Sequence, residues 1–155
     1  MNKYQMQRSE KAAAYFKEGY NCAQAVVMSF ADEMGMDEKT LAKLASSFGG
    51  GMGRLREVCG AVSGMFLVYG MVCGYDDPLS TDEKAEQYKV VQEMAAAFRE
   101  SHDSIVCREI LKKPAGSDHY QPAKRTENYY ASRPCEKCVC DATEILENFL
   151  KKMKK

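Results

Sequence analysis

The sequence predicts an all-α fold, and three observations carry that reading. Almost no segment sustains the period-two alternation rich in β-branched residues that marks a strand. Helix caps followed by apolar residues at helical spacing recur along the chain. The run Ala61–Cys73 is apolar nearly all round, as a helix at the centre of a helical bundle is. The expected architecture is a single compact bundle of about six helices around that central helix, which spans about 58–73. One domain over 1–155 is expected, without repeats, linkers or low-complexity stretches, and a chain of this length can bury a sufficient core without disulfides.

The elements follow in order. Ser9 is positioned to cap a first helix over about 10–18, with Ala13, Phe16 and Tyr20 toward the core and Gly19 as its end. In "NCAQAVVMSFADEMG" Asn21 and Gln24 have the spacing of a capping box, so a second helix starts at Cys22 and runs to Gly35. Asp37 opens a third, with Leu41, Leu44 and Phe48 at helical spacing, ended by the glycine loop Gly49–Gly53. The central helix follows. Ser80 and Glu83 form another capping box and open the longest helix, to about Glu100, with Tyr88, Val91, Met94 or Ala95, and Phe98 as its inner stripe. Ser104 caps a short helix that Pro114 stops. Residues 113–131, rich in polar groups and tyrosines, read as one long loop, a kind of segment that often carries function. Pro134 in a first helical turn starts the last helix at Cys135, with Val139, Ile145, Leu146 and Phe149 inward.

Charge and composition exclude several classes. Lys plus Arg and Asp plus Glu are equal at 22 each, so no net field steers the chain to nucleic acid or an anionic membrane. The basic end Lys151–Lys155 reads as a solvated helix terminus. The N-terminal residues are charged and amphipathic, without the apolar core of a secretory signal, and no run approaches the roughly 20 apolar residues of a membrane span. A cytoplasmic protein without membrane insertion is expected. In that reducing compartment seven cysteines are packing residues or reactive and ligating thiols rather than a static disulfide framework.

Placed on the helix map, Cys22, Cys59, Cys107 and Cys135 each fall in or near a first helical turn. Unpaired N–H donors and partial positive charge at a helix start favour thiolate, the form that attacks disulfides and binds metals. Cys73 reads as packing. "CEKC", Cys135 to Cys138, has the spacing of a redox pair or of half a zinc site, but no second close pair accompanies it, so zinc is less favoured. "GGGMGRLRE" lacks the Gly-Lys-Ser/Thr end of a P-loop; an anion could still sit where the central helix begins, although Arg54 and Arg56 read as surface charges. His102 could serve Cys107 as a base, yet at a helix end it reads as solvent-facing.

These stretches, "GYNCAQAV", "FGGGMGR" with "EVCGAVSG", "SIVCREIL" and "CEKCVCDATEIL", resemble in order the small family named for its cysteine pattern, C_GCAxxG_C_C, a name that carries a redox-active label. The resemblance runs from about Tyr15 to Leu150. It implies a redox set of four cysteines, carried onto Cys22, Cys59, Cys107 and Cys135, with Gly49, Gly50, Gly51, Gly53, Gly60 and Gly64 beside them. Cys73, Cys138 and Cys140 then look like extras.

The resulting expectation is an oxidoreductase or electron-transfer component whose four thiols meet at one end of the bundle. They would act by thiol–disulfide exchange with an unidentified redox partner, or together hold an iron–sulfur cluster. The alternative is a cysteine-lined pocket that binds a metal or small ligand without turnover. A homo-oligomer is compatible with either.

Overall fold

The structure is a computed structural model that describes residues 6–113 and 118–153. Pro114, the expected helix stop, and Lys154 and Lys155 of the basic end lie outside the described residues. The fold is all-α. Its elements are α1 (Arg8–Lys17), α2 (Cys22–Met28), α3 (Ala31–Met34), α4 (Glu38–Ala45), a 3₁₀ turn (Ser46–Phe48), α5 (Gly49–Met52), α6 (Gly60–Cys73), α7 (Thr81–His102), α8 (Cys107–Ile110), α9 (Glu127–Ser132) and α10 (Cys135–Met153).

Division is finer than about six helices, for local reasons. Glu10 accepts a hydrogen bond from the Gln7 N–H at 3.3 Å, so α1 begins before Ser9, which lies inside the helix and is buried. The second helix stops at Met28 rather than Gly35. Ser29 Oγ donates to the Val26 carbonyl at 2.7 Å, and Phe30 leaves helical φ/ψ before one more turn, α3, ends at left-handed Gly35. The short helix α8 has Val106 at its cap position, while Ser104, two residues earlier, accepts from the Val106 N–H at its Oγ. Within the expected long loop, Thr126 caps α9 by accepting from the Tyr129 N–H at 3.1 Å.

The core lies where α6 meets α2 and α10. Buried Val26, Phe30, Met65, Val68, Phe98 and Leu146 belong to one apolar cluster. Each such side chain contributes roughly 1.5–3 kcal/mol on burial. On α7 it is Val90, Met94, Ala95 and Phe98 that point inward, whereas Tyr88 is exposed. Leu44 on α4 is also exposed, so the inner stripe there rests on Leu41. Among the described residues no helix is long and apolar enough to cross a membrane.

Glycines set the approach of α6 to α2. A Cβ on Gly60 would stand 3.0 Å from the Phe48 carbonyl oxygen and 3.2 Å from the Ala23 nitrogen; one on Gly64 would stand 3.0 Å from the Ala23 carbonyl oxygen. The start of α6 can therefore lie directly on the start of α2, which is where Cys59 and Cys22 are.

Candidate functional site

Three local devices build one end of the bundle. The first is the capping box of α2: the Asn21 side chain accepts from the Gln24 N–H at 2.9 Å, and Gln24 Oε1 accepts from the Asn21 N–H at 3.0 Å. The same two side chains donate to the Ser46 and Ala42 carbonyls at 3.1 and 2.9 Å, which docks the start of α2 on α4 and the turn after it.

The second is the glycine loop. Gly50, Gly51 and Gly53 hold φ of 69°, 68° and 62°, a left-handed backbone that glycine adopts without penalty. Gly49 has ordinary φ but no room: an added Cβ would lie 2.3 Å from the Asn21 side chain. Gly51 is shut in likewise, 2.6 Å from Cys107 Cβ.

A third device places Cys107. Residues 56–59 and 105–108 run antiparallel, with Val58 and Val106 bridged. The Cys59 N–H donates to the Ile105 carbonyl at 2.7 Å, and the Cys107 N–H to the Glu57 carbonyl at 2.5 Å. Two chain segments distant in sequence thereby set Cys59 and Cys107 side by side.

As the helix map anticipated, Cys22, Cys107 and Cys135 are the first residues of α2, α8 and α10, and Cys59 is the cap residue of α6. All four line one cavity of about 250 Å³, and Cys138 lines it too. Gly49, Gly50, Gly53 and Gly60 form part of its wall, while Gly51 and Gly64 work from behind it. Cys73 packs against the core elsewhere, and Cys140 donates to the Ser9 carbonyl at 3.7 Å away from the cavity. Among the described residues no disulfide joins any of the cysteines.

Inside the cavity four of the five sulfurs fall into two pairs. Cys22 accepts a hydrogen bond from the Cys135 thiol. That bond is the largest reason its thiol ionises early, at about 7; the Gly50 N–H and its own N–H on the sulfur, with the Arg125 charge nearby, add to it against the cost of burial. Cys135, as the donor, is pushed far up by that bond and by burial. Cys59 bonds to Cys138, and this bond and burial push Cys59 well up. Cys107 is also raised, by burial, although Arg56 Nη1 donates to its sulfur at 3.5 Å and opposes the shift. A place at a helix start therefore does not make a thiolate by itself. The bond to a partner thiol together with burial outweighs it at Cys59 and Cys135, and burial at Cys107; Cys22 alone of the four has hydrogen-bond donors enough to overcome its burial.

Arginines surround the sulfurs. The reading of Arg54 and Arg56 as surface charges fails for Arg56, which is 3% exposed. Its Nε donates to Asp118 Oδ2 at 2.7 Å, and Asp118 also pairs with Arg54 and Lys113 at 3.8 and 3.2 Å. Arg125 donates to the Phe16 and Tyr20 carbonyls at 3.1 Å each and stacks over Phe16 and Tyr129. Arg133 lies over the Tyr129 ring. No carboxylate pairs with Arg125 or Arg133 among the described residues, so the wall made by α9 and the loop before it is positive. The expected long loop thus supplies part of the cavity lining, and its arginines carried no motif.

His102 departs from expectation. Its side chain is 5% exposed, stacks on Phe98, and lies on Cys138 rather than Cys107. Nε2 is 2.8 Å from Asp141 Oδ2, and Nδ1 is 3.7 Å from Cys138 Sγ. The signal available in sequence was the i, i+3 spacing of Cys138 and Asp141, which puts both on one face of α10.

The metal reading meets a different donor geometry. Among the described residues no three His, Cys, Asp or Glu side chains are grouped so that they could hold a metal ion.

Residues 20–149 match the family described as "Putative redox-active protein (C_GCAxxG_C_C)". The match covers most of the chain, which therefore belongs to that family. No curated protein and no solved structure matches it.

Proposed function

We propose that this member of the C_GCAxxG_C_C family is a thiol–disulfide redox protein in which Cys22 attacks and Cys135 resolves. The observation that carries the reading is the Cys22–Cys135 hydrogen bond, with the Gly50 N–H on the same sulfur, which leaves Cys22 ionised to about half at neutral pH. A thiolate with a pKa near ambient pH combines ionisation with nucleophilicity.

The chemistry is exchange. The Cys22 thiolate attacks one sulfur of a disulfide substrate; the substrate S–S bond breaks, a mixed disulfide forms, and the leaving thiolate takes a proton. Cys135, its proton passed on as Cys22 ceases to accept it, attacks the Cys22 sulfur. The second substrate thiol leaves, and the Cys22–Cys135 disulfide remains: two electrons have moved to the substrate. Arg125 and Arg133 on the wall favour an anionic substrate. A cytoplasmic location, where a reductant of thiol class would restore the pair, fits this cycle.

The test is oxidation in graded dithiol/disulfide buffer, quenching in acid, and mapping of linked peptides. A Cys22–Cys135 disulfide that forms reversibly is expected. Anaerobically purified protein should hold iron and sulfide far below stoichiometry; near-stoichiometric amounts lost in Cys59→Ser would establish the cluster reading instead.

A further inference from the structure

A second pair of sulfurs in the cavity has a proton acceptor of its own. Cys138 lines the cavity, bonds to Cys59, and has His102 Nδ1 at 3.7 Å from its sulfur. His102 Nε2 is 2.8 Å from Asp141 Oδ2. A carboxylate can only accept, so Nε2 carries the hydrogen and Nδ1 offers its lone pair to the Cys138 thiol. Phe98 stacks on the ring at 4.5 Å between centroids and keeps it in that plane. The charged and titratable groups around the imidazole are Asp141, Lys137, which pairs with Asp141 at 2.9 Å, and the Cys138 and Cys59 thiols. This is the order of parts that activates a thiol: sulfur, imidazole, orienting carboxylate.

We propose that Cys59 and Cys138 form a second, inner dithiol that takes oxidising equivalents from the Cys22–Cys135 disulfide, with His102, oriented by Asp141, as its proton acceptor. The transfer rests on the exchange reading of Cys22 and Cys135; the inner dithiol itself does not. "CEKC" is thus divided between two pairs, Cys135 serving the outer and Cys138 the inner.

The step balances as follows. The Cys138 thiol gives its proton to His102 Nδ1, and the Cys59 proton passes to the Cys138 thiolate. The Cys59 thiolate attacks the Cys22 sulfur of the outer disulfide; Cys135 leaves and takes up, across the cavity, the proton that His102 had received, which frees the imidazole. Cys138, deprotonated again through His102, attacks the Cys59 sulfur and expels Cys22. The inner disulfide has formed, the outer dithiol is restored, and both protons lost by the inner thiols have gone to the outer ones.

Disulfide mapping after oxidation with diamide tests this in the full chain and in a Cys22→Ser/Cys135→Ser double variant. A Cys59–Cys138 link is expected in both proteins, and in the wild type it should follow an earlier Cys22–Cys135 link. A wild type that forms only Cys22–Cys135, with no link in the double variant, overturns the inner dithiol and leaves the outer reading standing. A Cys59–Cys138 link without any Cys22–Cys135 link supports the inner dithiol and sinks the outer reading and the transfer. His102→Gln should slow inner-link formation on the order of a hundredfold and change the pH dependence of its rate. Asp141→Asn, which keeps the ring packed but changes its partner, should slow the link less. An unchanged pH profile in both variants, each folded by circular dichroism, overturns the role of His102.

Discussion

The Cys22 sulfur accepts a hydrogen bond from Cys135 where the starts of α2 and α10 meet, and that one bond divides two similar thiols into one that ionises early and one that keeps its proton. Removing the donor should undo the division. Alkylation of Cys22 by iodoacetamide should follow an ionisation at about 7 in the wild type and move toward the ordinary value of 9.0 in Cys135→Ala. At pH 7 the thiolate fraction, and with it the rate, should fall by up to about fiftyfold. An unchanged profile would place the cause of the low value outside the pair.

The same pair gives stability a pH dependence with opposing signs. Cys22 ionises lower in the fold, so its contribution is complete above 9.0 and is lost as pH falls through about 7. Cys135 ionises higher, so its contribution is complete below 9.0 and is lost as pH rises above that. Urea midpoints should rise from pH 7 toward 9 and then decline, and Cys22→Ser should flatten the rising limb.

Gly49 serves Cys22 at one remove. An added Cβ would lie 2.3–2.4 Å from Asn21 side-chain atoms, so Gly49→Ala must turn Asn21 out of its cap. Loss of an N-cap costs about 1 kcal/mol, which urea denaturation would show as a lower midpoint at unchanged slope. The start of α2 would also shift away from the Gly50 N–H, and the Cys22 ionisation should rise. Stability loss without that rise would mean that the cap does not position the sulfur.

Much of this end of the bundle could be read from local pattern. Asn21 and Gln24 declare their capping box within four residues, and Gly60 and Gly64 repeat at the helical spacing that makes one face small. Helix starts at Cys22, Cys107 and Cys135 are local facts as well. What was not legible depends on tertiary neighbours. His102 is buried because α10 crosses the end of α7, which its own surroundings in sequence do not reveal. Arg56 is buried because Asp118 and Cys107 come to it. The raised thiol at Cys59 reflects its bond to Cys138 and then its depth in the assembled bundle, and that at Cys107 reflects depth, quantities no motif carries.

Asp118 gathers three cations and should register in acid. Arg56, then Lys113, hold its carboxyl below the ordinary 3.8, so its contribution is present above pH 4 and is lost as pH falls through the lowered value. Asp118→Asn should be less stable than wild type at pH 6, with the difference shrinking below pH 4. The variant should also leave Arg56 without its main partner at the Cys107 sulfur. A constant difference across that range would remove Asp118 from the acid response.

Arg133 tests the charge of the cavity wall separately from its thiols. It lies over Tyr129 with no carboxylate partner among the described residues, so its charge faces whatever enters. Two substrates of like reactivity separate field from chemistry: an anionic disulfide such as oxidised glutathione, and uncharged hydroxyethyl disulfide. At low ionic strength Arg133→Gln should slow reaction with the anionic one several-fold, since about 1 kcal/mol of lost attraction is a factor of about five, and leave the neutral one unchanged. Added salt should erase the difference by screening, because the attraction acts across solvent. Equal slowing of both substrates would instead assign Arg133 to packing of α9 through Tyr129, and the preference for an anionic substrate would fall.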